Sequence, residues 1–138
     1  METTLLLILL ATSCISTARE AQPQATSPYV LVLGTAQDAG VPQVNCFNEN
    51  CNAVRRGVRP LPRVSSIGLV DPLAGKRFIF DATPDFASQV GELLTHPAGT
   101  ALPRASVPLQ EYLHGIFLTH AHIGHYTGLM YLGREVSA

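Results

Sequence analysis

Three of the chain's five histidines fall within six residues, at positions 120, 122 and 125. If extended backbone persists past Thr119, His120 and His122 point to the same side, because side chains alternate along a strand. Two imidazoles on one side are half of a zinc site, since neutral imidazole is a common ligand for that metal. His125 lies three residues further on and can reach the same pocket from another side. The alternative is that all three are surface or hydrogen-bonded loop histidines.

The elements around these histidines place them at a junction. Residues 115–118 are mostly apolar and β-favouring, so they predict a buried strand, and residues 127–132 can open a helix. In α/β proteins, ligand and metal sites collect where a strand ends and a helix begins. The sequence therefore predicts a metal site at the end of a strand.

This histidine segment resembles the His-x-His-x-Asp-His signature of the metallo-β-lactamase superfamily. The resemblance implies that His120 and His122 bind one metal ion and that His125 serves a second. Gly124 stands where the signature has its aspartate, and glycine offers no ligand atom. We therefore expect one ion rather than two, with zinc as the metal and iron as the alternative.

Other segments resemble one subgroup of that superfamily, pyrroloquinoline quinone biosynthesis protein B. The resemblance runs from about Val30 to Glu135, and it implies an α/β (α+β) fold, the metallo-β-lactamase-like αβ/βα sandwich. The segments that carry it are residues 32–43, Asn45-Cys46, Cys51, residues 65–67 and residues 81–85.

The same resemblance implies that only part of the sandwich is present. Such domains have two similar halves, and the second half carries further metal ligands. Ala138 lies 13 residues after His125, so the expectation is the N-terminal half only. One sheet face of a half sandwich lacks its partner layer, and such a face must be covered.

The function that follows is that of a metal-dependent hydrolase, or of its N-terminal part, acting on a small molecule. With iron instead of zinc, the subgroup resemblance favours hydroxylation of a tyrosine-derived precursor. The alternative is a non-catalytic metal-binding or interaction module, a truncated pseudoenzyme. Whether this chain is an enzyme by itself stays open.

Composition and the N-terminal segment indicate the broad class of protein and its expected location. With 138 residues, 46% apolar and 14% charged, the chain should form one domain with a buried core. A net charge of −1 argues against a general nucleic-acid binder. Residues 1–18 read as a signal peptide, with Cys14 as an alternative lipid anchor, followed by a linker over 19–28 and the domain over 29–138. The expected location is periplasmic or secreted, or cytoplasmic if the signal does not function.

A long irregular segment is predicted over residues 37–62, and it carries two cysteines, Cys46 and Cys51. In an exported protein a disulfide is the plainer interpretation, and a shared metal or two free thiols are the alternatives. Arginine side chains at the end of this segment form either a solvated positive face or a site for an anionic group. They are Arg55, Arg56, Arg59 and Arg63.

The remaining pattern predicts a strand over 29–33 that is buried on both faces, a hairpin over 65–80 and a helix over 86–94. Thr83 or Asp85 is expected to cap the helix. Asp81 follows a strand end, so it either braces its loop or contacts a metal-bound histidine from behind. Asp38 is a weaker candidate for that second role.

Overall fold

The protein is described here by a computed structural model that covers residues 25–96 and 108–136. The predicted signal peptide and Cys14 lie outside these ranges and remain predictions. A four-stranded sheet is built in the order β1 (Tyr29–Gly34), β2 (Ser66–Asp71), β3 (Lys76–Phe80) and β4 (Gly115–Phe117). The β1–β2 and β2–β3 pairs are antiparallel, whereas β4 pairs with β3 in parallel.

In the described part of the chain, three α-helices accompany the sheet: α1 (Glu49–Arg55), α2 (Phe86–Thr95) and α3 (Ile123–Tyr126). Short 3-10 turns lie at Leu109–Glu111, Thr127–Tyr131 and Arg134–Val136. Among the described residues, none of the helices has the length and apolar character needed to cross a membrane.

The core lies between α2 and one face of the sheet. Leu93 of α2 is fully buried, and it sits directly over Gly68 of β2. A Cβ atom on Gly68 would lie 2.6 Å from Leu93 Cδ1, so the helix approaches the sheet closely only because this residue is glycine. The cluster comprises Leu33, Val70, Ile79, Ala82, Phe86, Val90, Leu93 and Leu113.

The opposite face of the sheet is apolar and open in the described part of the chain. Val32 pairs with Ile67, Ile67 with Phe80, and Phe80 with Phe117, so these four side chains form one row across all four strands. Val32 is 65% exposed and Phe117 50% exposed. The prediction that β1 is buried on both faces is therefore wrong, because its apolar run meets a helix on one side only. The predicted burial of the strand before the histidines is wrong for Phe117 for the same reason.

Three strand ends meet at one edge of the sheet. Strands β3 and β4 are parallel, and β1 points the same way because two antiparallel pairings separate it from β3. The residues that follow these strands therefore emerge together. They are Asp38 after β1, Asp81 after β3 and the histidine segment after β4.

Two predictions about the loops need correction. The segment 37–62 is not wholly irregular, because Asn48 accepts a hydrogen bond from the Cys51 backbone N–H at 2.9 Å and starts α1. Asp85 lies at the N-cap of α2 but makes no side-chain capping bond. Its carboxylate instead accepts a hydrogen bond from the Val64 backbone N–H at 2.7 Å, which ties the start of α2 to the loop before β2.

His114 joins β3 to the start of β4, and its side chain should make stability depend on pH. His114 Nδ1 accepts a hydrogen bond from the Arg77 backbone N–H at 3.1 Å, so the folded protein requires a neutral ring. Burial lowers the pKa of His114, and the positive charge of Lys76 lowers it further. The stability contributed by the neutral ring is thus present above the unfolded pKa of about 6.5 and is lost as pH falls through the folded pKa.

We expect the free energy of unfolding of the wild type to fall between pH 7 and 5 more steeply than that of a His114→Asn variant. The amide oxygen of asparagine can occupy the position of Nδ1 but does not titrate. Denaturant unfolding at a series of pH values measures both slopes. Equal slopes for the two proteins would contradict this account.

Candidate metal centre

The three histidines come together after β4. The ring centroids of His120 and His122 are 4.6 Å apart, and those of His120 and His125 are 4.0 Å apart. His122 is mostly exposed, whereas His125 is largely buried. Extended backbone at His122 ends the strand-like segment, and α3 then begins and turns His125 back toward the other two rings.

Asp81 is the buried anchor of this site. Its carboxylate accepts hydrogen bonds from the Thr119 backbone N–H at 2.8 Å, from Thr119 Oγ1 at 2.9 Å and from His125 Nδ1 at 2.8 Å. Burial alone would raise the pKa of Asp81, but hydrogen bonds from Thr119 and His125 outweigh it and hold the pKa below its ordinary value. Asp81 braces the loop through Thr119 and also contacts His125, whereas its role behind a metal-bound histidine stays a prediction.

The carboxylate of Asp81 also determines which nitrogen carries the proton in His125 and, through Thr119, in His120. A carboxylate only accepts, so His125 donates from Nδ1 and leaves Nε2 with a free lone pair. The Thr119 hydroxyl donates to Asp81 and therefore accepts from His120 Nδ1, which lies 2.9 Å away. His120 Nε2 is thus also unprotonated. The Nε2 atoms of His120 and His125 thus both have the free lone pair that a metal ligand needs. In metal sites, hydrogen-bond partners behind a ligand histidine fix its tautomer in the same way.

His120 Nε2 lies 3.1 Å from His122 Nδ1. Two nitrogen ligands of one tetrahedral zinc ion, each about 2.0–2.1 Å from it, would be about 3.3 Å apart. This distance therefore suits two ligands of one ion. Without an ion, it suits a hydrogen bond that His122 Nδ1 donates to His120 Nε2. Within ranges 25–96 and 108–136, no group of three or more His, Cys, Asp or Glu side chains is arranged to hold a metal ion. The spacing of the pair matches that of two ligands of one zinc ion, and metal binding itself stays a prediction.

Asp38 is the nearest further carboxylate. Its Oδ2 lies 3.8 Å from His122 Nδ1, and about a third of its side chain is exposed. A cavity of about 240 Å³ opens on the Asp38 side of the site. Its lining is largely apolar and comprises Asp38, Ala39, Gly40, Val41, Pro42, Leu61, Pro62, Val64, Pro84 and Asp85.

The two cysteines of the 37–62 segment form a disulfide bond. The sulfur atoms of Cys46 and Cys51 are 2.09 Å apart, and the bond closes the first turn of α1 onto the loop before it. Both thiols are therefore used in a covalent bond, so the alternative of a thiolate metal site does not apply to this structure.

The arginines near α1 make mainly structural contacts. The Arg55 guanidinium lies over the Phe47 ring, 4.8 Å from its centroid, and Arg59 donates to Asn50 Oδ1 at 2.8 Å. Arg63 forms an ion pair with Glu92 of α2. These contacts favour the solvated positive face over an anion site.

Thr119 is the site residue that sequence reasoning missed as a functional group. Its hydroxyl connects Asp81 to His120 and so fixes the His120 tautomer. Its place directly before the first histidine, at the end of β4, was the only signal available.

Sequence comparison finds relatives of this chain among bacterial proteins. Coenzyme PQQ synthesis protein B of Klebsiella pneumoniae subsp. pneumoniae is 32% identical over 105 residues, which are 75% of this chain and 32% of that protein. The protein of the same name from Pseudomonas aeruginosa is 38% identical over 107 residues, covering 75% and 33% of the two chains. No family model matches the chain. The chain thus spans about a third of the length of the curated relatives it matches.

Two solved structures share the fold. Zinc-bound PqqB from Methylobacterium extorquens superimposes with a TM-score of 0.60 at 28% identity, over 78% of this chain and 37% of that one. A diphosphatase from the PhnP family gives a TM-score of 0.53 at 25% identity, over 80% and 36%.

The four-stranded sheet with its histidine-bearing edge is an α+β fold of the metallo-β-lactamase-like class. The resemblance predicted from the histidine segment is thereby confirmed. Within that class, the chain is a homologue of coenzyme PQQ synthesis protein B over three quarters of its length.

Proposed function

We propose that this chain is the metal-binding part of a metal-dependent hydrolase, with His120 and His122 holding a single zinc ion. The observation that carries the proposal is the facing pair of nitrogens, His120 Nε2 and His122 Nδ1, at 3.1 Å. The zinc in the PqqB structure of Methylobacterium extorquens supports the choice of metal. The diphosphatase with the same fold supports hydrolysis as the reaction class.

A bound zinc ion would supply a nucleophile at neutral pH, because it lowers the pKa of its water to about 7. The residues of this chain prepare the site. Asp81 and Thr119 hold the His120 ring so that its unprotonated nitrogen faces His122. Because the His120 tautomer is set before any ligand arrives, little reorganisation is needed there on binding.

His122 must change more than His120 on metal binding. In the hydrogen bond of the metal-free pair, the proton lies on His122 Nδ1, so it must shift to Nε2 of the same ring before Nδ1 can become a ligand. The ring is exposed, so water can carry the proton from one nitrogen to the other.

His125 has a different place in the proposal. Its Nδ1 is held by Asp81, and its ring lies against the His120 ring at an interplanar angle of 47°. A second ion at His125 would need a carboxylate from position 124, where the chain has glycine. We therefore assign His125 to the support of the one-ion site, with ligation of a second ion as the alternative.

The cavity beside Asp38 gives the proposed hydrolase a place for a small molecule. Its lining is mostly apolar, with carboxylates at Asp38 and Asp85, which is typical of a pocket that binds an apolar body and orients a few polar groups. Homology to coenzyme PQQ synthesis protein B favours a substrate related to that biosynthesis.

Zinc content and hydrolysis together test the proposal. We expect the purified chain, stripped with a chelator and reloaded, to hold about one zinc per chain by elemental analysis. A His120→Ala/His122→Ala variant should hold none, while its circular dichroism spectrum stays unchanged because both side chains are exposed. The zinc-loaded wild type should cleave an activated ester or phosphodiester, and the variant should not.

A folded wild-type chain that takes up no zinc would overturn the metal site. Zinc uptake without hydrolysis of any activated substrate would instead favour the non-catalytic metal-binding module. A variant that retains zinc would place the metal at other residues.

A further inference from the structure

A second cavity, of about 400 Å³, lies beside α1, and it shares Val41 and Pro62 with the cavity next to Asp38. Asn50 and Val54 of α1 both face this second cavity, because residues four positions apart lie on the same side of a helix. Its lining comprises Val41, Asn50, Val54, Arg59, Pro60 and Pro62. We call this cavity the α1 groove.

The α1 groove is mainly apolar, with one cation at its edge. Four of its six lining residues are valine or proline, and Arg59 is the charged one among them. Arg59 is exposed, and its Nη1 donates to Asn50 Oδ1 at 2.8 Å, which holds the guanidinium beside the groove. A guanidinium has five N–H donors, so the bond to Asn50 does not exhaust its capacity to bind a carboxylate.

Exposed apolar side chains extend the surface of the groove. Val58 precedes Arg59 and is 72% exposed, and Leu61 is 69% exposed. Leu61 stands between Pro60 and Pro62, and proline fixes its own backbone φ near −65°, so the backbone around Leu61 has little freedom. Exposed apolar surface around a cavity is typical of an interaction site.

The charge of this segment differs from that of the rest of the chain. Residues 41–62 carry Arg55, Arg56 and Arg59 against a single acid, Glu49, whereas the whole chain has nine basic and ten acidic residues. All three arginines are exposed, so their charge is accessible to a partner. A positive rim beside an apolar groove is complementary to a ligand that carries carboxylates next to an apolar group.

We propose that the α1 groove binds an acidic peptide segment of a partner protein, with an apolar side chain in the cavity and carboxylates at Arg56 and Arg59. A peptide fits better than a small molecule because the apolar surface continues past the cavity to Val58 and Leu61. An extended peptide also presents carboxylates beside an apolar anchor. The inference goes beyond the proposed function and does not depend on a metal ion at the histidines.

The wall that α1 contributes is formed before a partner arrives. The disulfide between Cys46 and Cys51 closes the first turn of α1, and the Asn48 side chain caps the helix. A surface that is already ordered loses less conformational entropy on association. The groove can therefore bind a peptide without first folding.

The test begins with a phage-displayed library of random dodecapeptides, selected on the full chain. Fluorescence anisotropy then measures the affinity of the enriched peptides for the wild type and for Arg59→Glu, which reverses the charge beside the groove. The matched control is Arg134→Glu, the same change at an exposed residue outside the groove lining. Denaturant unfolding checks both variants, and Arg59→Gln, which keeps a donor for Asn50, replaces Arg59→Glu if that variant is destabilised.

We expect the enriched peptides to combine aspartate or glutamate with leucine or an aromatic residue. Arg59→Glu should bind them about five- to thirtyfold more weakly, since a repulsion replaces an attraction of similar size. Arg134→Glu should bind them as the wild type does. Added salt should weaken binding by the wild type more than by Arg59→Glu, because salt screens exposed charge pairs.

Three other results would overturn the inference in different ways. No enrichment over a support without protein, or enrichment of peptides that lack acidic residues, would remove the acidic partner. Acidic peptides that bind Arg59→Glu as tightly as the wild type would place the contact outside the α1 groove. Binding of free benzoate as tight as that of the peptides would make the ligand a small carboxylate instead of a peptide.

Discussion

Replacing Asp81 with asparagine is expected to weaken metal binding by about 10- to 100-fold and to lower the free energy of unfolding by about 2 kcal/mol. Asparagine has one acceptor oxygen and one NH₂ group, but Asp81 faces donors on both of its oxygens. If the amide oxygen faces Thr119, the NH₂ group meets His125 Nδ1–H. The ring must then move its proton to Nε2, the nitrogen that faces the site.

The choice of asparagine separates this effect from backbone strain. Asp81 has φ of 68°, in the left-handed region, where asparagine is tolerated and alanine is strained. Zinc competition and denaturant unfolding measure the two effects, and the ¹⁵N shifts of His125 report its tautomer. The matched control is Asp71→Asn in the β2–β3 turn, where the asparagine oxygen can still accept from the Leu73 and Ala74 N–H groups. Wild-type zinc affinity in Asp81→Asn would show that the network behind the rings does not orient them.

The parts of the site that sequence reasoning recovered are those close together in the chain. His120, His122 and His125 lie within six residues, so their convergence follows from the alternation of a strand and one helical turn. The proximity of Asp38 to Gly124 could not be deduced, because 86 residues separate them. It depends on β1 and β4 ending at the same edge, which requires the strand order.

The elements of the fold were likewise predicted correctly where their sequence signals are local. The β2–β3 hairpin and α2 were predicted within two residues, because each has a strong local period and a clear turn. Helix α1 was missed, since its seven residues depend on the Asn48 cap and lie beside a disulfide. The exposure of Val32 was missed because an apolar run does not reveal whether one or both of its faces are covered.

The contact that holds the histidine segment against the rest of the fold is made by Gly128. Its backbone N–H donates to the Ala82 carbonyl at 2.7 Å, and the Ala82 N–H donates to the His125 carbonyl at 2.8 Å. A Cβ atom on Gly128 would lie 2.2 Å from the Thr83 carbonyl oxygen and 2.5 Å from Phe86 Cβ. Neither neighbour can rotate away, because one is backbone and the other is fixed at the start of α2.

Gly128→Ala is therefore expected to destabilise the protein by about 1–3 kcal/mol, the usual range for overpacking a well-packed site. It should also weaken zinc binding, because the displaced segment carries His125 away from Asp81. Gly91→Ala is the matched control: this residue is exposed in α2, and among the described residues no atom outside the helix's own backbone lies within 4 Å of its added Cβ. Alanine there should stabilise by about 0.5–1 kcal/mol, since glycine is a poor helix former. Denaturant unfolding measures the change in the free energy of unfolding for both variants. Changes of opposite sign would show that close packing requires glycine at position 128, and equal changes would contradict that explanation.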